Sequence, residues 1–166
     1  VRQCRGAIDV ISTVGSGSEF RIYLPQWNEE AAVPRVKADD ETDLFGNETI
    51  LLVEDEDSVR QLTSRILSGF GYNVLEARYG TEGLKLASDY EGKIDLVLSD
   101  VVMPQLSGPD MVEQMYKIRP GFKVLYISGF TQDRTLRDPS GGAVPLVMKP
   151  FSRERLARKV REALMS

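Results

Sequence analysis

The sequence contains no histidine. That absence excludes a Ser-His-Asp triad, a histidine-ligated metal and any histidine of this chain that carries phosphate. There is a single cysteine, Cys4, so neither an internal disulfide nor a multi-cysteine zinc site can form, a usage that fits a reducing compartment. Cys4 has no basic or helical partner in the pattern and reads as an inert thiol. No apolar run approaches the roughly 20 residues that cross a bilayer, and Val1-Arg2-Gln3-Cys4-Arg5 lacks the apolar continuation of a signal peptide. An initiating methionine is lacking too, so the chain reads as a piece of something longer. Positive charge is not in excess: 21 Lys and Arg face 25 Asp and Glu, a net charge of −4, which speaks against a nucleic-acid footprint. What is present, 166 residues of which 42% are hydrophobic, suffices for one domain with its own core and a small appendage.

Composition divides the chain in three. Residues 1–27 hold two β-type runs, 7–13 and 20–24, around Val14-Gly15-Ser16-Gly17-Ser18. Gly15 and Gly17 permit the positive φ of a tight turn, and Pro25 ends the second run. With no helix after them, these glycines read as a hairpin turn rather than a phosphate cradle. A lone hairpin is marginal in water and needs a surface to lean on. Residues 28–47 carry six acids (Glu29, Glu30, Asp39, Asp40, Glu41, Asp43) against Arg35 and Lys37, and with Pro34 they read as an acidic linker. Trp27 and Phe45 are its candidates for pinning it to a domain.

From residue 48 to 166, short apolar runs alternate with amphipathic ones. Thr49-Ile50-Leu51-Leu52-Val53 reads as a strand buried on both faces. Val59, Leu62, Ile66, Leu67 and Phe70 share a helix face, closed by Gly69 and Gly71. The spacing predicts strands at 72–76, 94–98, 122–127 and 143–148. It predicts helices at 81–90 and 110–118, the latter led by Pro109 and ended by Pro120-Gly121. A short helix over 131–137 is curtailed by Pro139, Gly141 and Gly142, and a last helix comes after the N-cap Ser152. Its cations, Arg153, Arg155, Arg158, Lys159 and Arg161, read first as a solvated face and second as a docking surface. Five strands alternating with five helices predict an α/β domain with a parallel sheet and right-handed crossovers. Met103, Met111, Met115 and Met148 read as core fillers.

In such sheets ligands bind beyond the carboxyl ends of the strands. There the sequence places Glu54-Asp55-Glu56, then Ser99-Asp100 ahead of Val101-Val102-Met103-Pro104, then Ser128-Gly129, and last Lys149-Pro150-Phe151. Carboxylates crowded on one rim repel each other unless a cation neutralises them, and a hard oxygen-seeking ion such as Mg²⁺ suits such a set together with a phosphate oxygen. Lys149 offers a point charge and Ser128 a hydroxyl for other phosphate oxygens. An aspartate can itself attack phosphorus and form an acyl phosphate. Glu56 and Asp57 read as first-turn helix acids.

With these motifs in register, residues 48–166 resemble a response-regulator receiver domain, whose fold is flavodoxin-like (CheY-like) with strand order 2-1-3-4-5. The resemblance implies Asp100 as phosphoacceptor, Ser128 as the switch hydroxyl and Lys149 as the family's lysine. It implies Mg²⁺ held by Asp55, Asp100 and the Val102 carbonyl, with Glu54 acting through water. The family's usual aromatic three residues before the lysine is replaced by Leu146, which removes coupling through an aromatic rotamer.

The first segment, Gly6-Ala7-Ile8-Asp9-Val10 through Phe20-Arg21-Ile22-Tyr23-Leu24-Pro25, resembles the last hairpin of a histidine-kinase ATP-binding domain. It omits that domain's nucleotide motifs, so ATP binding by this chain is not expected. The order hairpin, linker, receiver is that of a hybrid sensor histidine kinase in a two-component phosphorelay. It implies a cytoplasmic domain of a parent anchored in the inner membrane. The implied partners are a histidine phosphotransferase and the parent kinase's own phosphohistidine domain, with no nucleic acid and no direct membrane contact, and a homodimer stays open. Whether the fragment counts as an enzyme also stays open, since its own chemistry extends at most to its aspartyl phosphorylation and dephosphorylation. Two other classes compete: a pseudo-receiver that binds or dimerises without chemistry, and a Mg²⁺-dependent phosphatase. The phosphatase lacks its second aspartate, because Val102 stands two residues after Asp100.

Overall fold

The computed structural model describes residues 6–15, 17–25, 44–129, 142 and 144–166. Cys4, Trp27, the linker up to residue 43 and the short helix expected over 131–137 lie outside the described residues. The chain forms two compact units, residues 1–38 and 39–166.

In the smaller unit, β1 (Ala7–Thr13) and β2 (Gly17–Tyr23) form an antiparallel hairpin. Gly15 and Gly17 turn it with φ of 80° and 97°, values that an L side chain rarely adopts. Pairing sets Ile8 opposite Ile22 and Val10 opposite Phe20 on one face, with Asp9 opposite Arg21 and Ile11 opposite Glu19 on the other. β2 begins three residues before the apolar run at Phe20, because the backbone ladder continues through the polar pair Ser12 and Ser18, whose hydroxyls are 2.8 Å apart.

The larger unit is a parallel sheet of β3 (Thr49–Val53), β4 (Asn73–Ala77), β5 (Leu96–Asp100), β6 (Lys123–Ser128) and β7 (Leu146–Met148), in the order β4-β3-β5-β6-β7. It is the expected flavodoxin-like (CheY-like) order. The described helices are α1 (Asp57–Gly69), α2 (Gly80–Asp89), α3 (Gly108–Ile118) and α4 (Arg153–Met165). Alternate residues of each strand enter opposite cores. Ile50, Leu52, Leu98 and Ile127 pack with Leu67 of α1 and Leu156 and Val160 of α4. Leu51, Val53, Val97 and Tyr126 pack with Ala87 of α2 and Met111 and Met115 of α3. A sheet covered on both faces is what the uninterrupted apolar strands require. Met103, Met111 and Met115 are buried, as expected of core fillers, while Met148 is half-buried.

Beyond shifts of one or two residues at element ends, three features differ from expectation, each for a physical reason. The last strand begins at Leu146 rather than 143, after Pro145, which has no N–H to give to a ladder. Leu62, placed by periodicity on the inner face of α1, is 57% exposed. With Val59, Pro150 and Phe151 it lines an apolar recess beside Lys149. Packed structure also begins before residue 48. Leu44 is buried, the Tyr72 hydroxyl donates to its carbonyl at 3.1 Å, and Phe45 stands edge-on to Phe70 at 5.3 Å. On α4, Arg161 pairs with Glu48, Lys159 with Glu162, and Arg153 lies over the Phe70 ring, so part of its basic row serves the fold.

Candidate functional site

Strand register assembles the site. Val53 pairs with Ser99 and Asp100 with Ile127, while Ser128 pairs with Met148. Glu54, Asp100, Ser128 and Lys149 therefore fall at or one residue past the carboxyl ends of four adjacent strands. Carboxylate oxygens of Glu54, Asp55 and Asp100 lie within 4.8 Å of one another. The Lys149 ammonium donates to Asp100 Oδ2 at 2.6 Å and to Glu54 Oε2 at 2.8 Å.

Glu54 is 1% exposed, and burial pushes its carboxyl above the ordinary glutamate range. The contact with Lys149 pulls the other way, and the charge of Asp100 adds to the rise. For Lys149, burial works to lower the ammonium, but its hydrogen bonds to Asp100 and Glu54 outweigh it and hold the group above the ordinary lysine range. Asp100 also accepts from the Val102 amide at 3.1 Å, so the main chain and Lys149 orient its two oxygens. Ser128 is buried, and its carbonyl accepts from the Lys149 amide at 2.8 Å, which locks the two strand ends together.

Every site residue singled out in the sequence thus lies on one rim. Lys149 contacts Glu54 and Asp100, Asp55 completes the carboxylate cluster, Val102, expected through its carbonyl, meets Asp100 through its amide, and Ser128 joins through its main chain. One ammonium contacts two carboxylates of a cluster of three. A hard dication fits that donor set, because all the clustered atoms are carboxylate oxygens and their mutual repulsion calls for more positive charge than Lys149 supplies.

Sequence reasoning missed two supports. Gly108 opens α3, and a Cβ there would sit 2.2 Å from the Asp100 carbonyl oxygen and 2.8 Å from Ser99 Oγ. The signal was visible only as a glycine eight residues after an aspartate. Asp57 is a first-turn acid of α1 as expected, and it also receives a hydrogen bond from Arg60 at 2.6 Å and lies 3.4 Å from Arg78. The spacing of Asp57 and Arg60, three apart on a helix, was the available sign.

Comparison with known proteins gives a consistent picture. The family model described as the response regulator receiver domain matches residues 50–161. The chain is 39% identical over 172 aligned residues to the sensor kinase CckA of Brucella abortus, covering 99% of this chain and 18% of that kinase. The crystal structure of the receiver domain from the hybrid histidine kinase CckA superposes with a TM-score of 0.60 at 37% identity, covering 70% of this chain and 98% of that one. A receiver domain protein from Clostridium thermocellum superposes with a TM-score of 0.63 at 30% identity, covering 71% and 94%.

Proposed function

The chain belongs to the response regulator receiver domain family, and from that premise we propose that it is the phosphoacceptor portion of a hybrid sensor histidine kinase working in a phosphorelay. Residues 1–27 are then the last hairpin of the kinase's ATP-binding domain, with an acidic linker and the receiver after it. The parent's membrane anchoring, the histidine phosphotransferase partner and the parent's own phosphohistidine domain belong to the same proposal. It is supported by the likeness to CckA along nearly the whole chain.

The observation that carries the chemical reading is the bridge from Lys149 to both Asp100 and Glu54 within a three-carboxylate cluster. A carboxylate oxygen of Asp100 attacks the phosphorus of a partner's phosphohistidine. The P–N bond breaks, the electron pair stays on the imidazole nitrogen, which takes a proton from water, and an acyl phosphate is left on Asp100. Lys149, already in contact with Asp100, is placed to neutralise a phosphoryl oxygen. Asp55 and Asp100, the Val102 carbonyl and Glu54 through water are the residues that would hold Mg²⁺, whose contribution is further positive charge for the equatorial oxygens. Ser128 is the hydroxyl for the new phosphate, biasing neighbouring loops.

The test is exposure of the chain to acetyl phosphate and Mg²⁺, with intact-mass measurement afterwards. One phosphoryl group is expected on the wild type, none on Asp100→Asn and none after chelation of the metal. An unmodified wild type overturns the reading and returns the chain to the class of binding modules without chemistry.

A further inference from the structure

Glu54 directly follows β3, and its main-chain carbonyl accepts a hydrogen bond from Arg60 at 2.9 Å. The same guanidinium donates to Asp57 Oδ1 at 2.6 Å and lies 3.7 Å from Glu76 Oε2 on β4. Glu76 is itself held by the Ser64 hydroxyl at 2.7 Å. The Arg60 side chain is only 12% exposed, so it sits fixed between the turn after β3, the first turn of α1 and the neighbouring strand. A planar guanidinium has donors enough, in fork geometry, to serve three acceptors in different directions, whereas the single ammonium of lysine is a compact point charge.

We propose that Arg60 is a positioning residue for the acidic pair, holding the turn that presents Glu54 and Asp55 toward Asp100. The proposal rests on the reading of this site as a Mg²⁺-dependent phosphoacceptor. It separates from a simple charge effect by sign. A positive group near three carboxylates repels an incoming dication, so charge alone makes removal of Arg60 tighten Mg²⁺ binding. Loss of a support behind metal ligands instead weakens binding, by about tenfold or more.

The experiment titrates the 166-residue chain with Mg²⁺ alone, tracking the amide NMR signals of Asp55 and Asp100, with thermal unfolding of the ion-free chain measured beside it. Arg60→Lys keeps the charge and loses the three-way span, and it is expected to weaken Mg²⁺ binding by about tenfold. Glu76→Gln removes the anchor on β4 without touching the turn and is expected to weaken binding in the same direction by a smaller factor. The loss of affinity is expected to exceed what any change in ion-free stability accounts for. Unchanged or tighter binding in Arg60→Lys overturns the proposal. A wild type that binds no Mg²⁺ overturns instead the phosphoacceptor reading beneath it.

Discussion

The Lys149 ammonium lies 2.6 Å from Asp100 Oδ2, and the same nitrogen reaches the buried Glu54 at 2.8 Å. One cation just past β7 therefore balances two carboxylates at the carboxyl ends of β3 and β5. Truncating it in Lys149→Met leaves Glu54 buried without a charged partner. Breaking a buried pair on one side costs more than the pair contributes, and with Lys149 22% exposed the expected loss is about 2–3 kcal/mol at neutral pH. Urea unfolding of the ion-free chain measures it. A variant as stable as wild type means that Glu54 is kept in place by other contacts.

Metal linkage gives a second outcome. If three carboxylates close on a dication, the folded chain binds it and the unfolded chain does not. Mg²⁺ at about ten times its dissociation constant then adds about 1.4 kcal/mol to stability. Thermal unfolding with and without Mg²⁺ at matched ionic strength reads this directly. In Asp55→Asn the increment is expected to shrink to a small fraction, because an amide replaces one of the clustered charges.

Gly108 is a close-approach position. A methyl group there meets the Asp100 carbonyl at 2.2 Å, and main chain cannot move aside as a flexible side chain can. Gly108→Ala is expected to cost about 2–3 kcal/mol through overpacking and to slow phosphoryl uptake, since the displaced carbonyl belongs to the acceptor residue. Gly69→Ala is the control: its added Cβ meets only the end of Arg153 at 3.7 Å, so stability is expected unchanged or raised by about 0.5 kcal/mol. Equilibrium unfolding compares the two.

The sheet and most of the rim were legible because their signals are local. An uninterrupted apolar strand such as Thr49–Val53 announces burial on both faces, and the residues just beyond its carboxyl end must stand at the sheet's edge. Glu54, Asp100, Ser128 and Lys149 came from that rule. Leu62 defeated periodicity, which records which residues share a helix face but not where a neighbouring layer ends. Arg60 and Gly108 were not legible as site residues, because their importance comes from contacts with main-chain oxygens of Glu54 and Asp100, and no side-chain pattern reports those.

Asp95 supplies a pH dependence away from the rim. Its carboxylate accepts the Thr49 amide at 2.9 Å and pairs with Lys93 at 2.6 Å. Burial works to raise it, but these two contacts prevail and hold it below the ordinary aspartate range. A depressed folded value means that the unfolded chain takes the proton first. The stability Asp95 contributes is therefore full above the unfolded value of about 3.9 and is lost as pH falls through the folded one. Asp95→Asn is expected to flatten the slope of stability against pH below about pH 4 relative to wild type. Unfolding curves taken through that range are the measurement, and parallel slopes would show that the Thr49 and Lys93 contacts do not survive in solution.

The start of the domain can be tested by truncation. Composition assigns residues 44–47 to the linker, yet Leu44 is 8% exposed, its carbonyl receives the Tyr72 hydroxyl, and Phe45 meets Phe70. Burying a leucine is worth about 1.5–3 kcal/mol, an aromatic edge contact about 0.5–1.5 and a hydrogen bond about 1. A chain beginning at Glu48 loses all three and also uncovers the Tyr72 side of the core. It is expected to be about 3 kcal/mol less stable than one beginning at Asp39, the first residue of the larger unit. Leu44→Ala in the longer chain is expected to reproduce more than half of that loss, because the leucine provides most of the buried apolar area. If the shorter chain unfolds at the same urea concentration as the longer, residues 44–47 are linker after all, and the Glu48–Arg161 pair at 2.6 Å is where the domain begins.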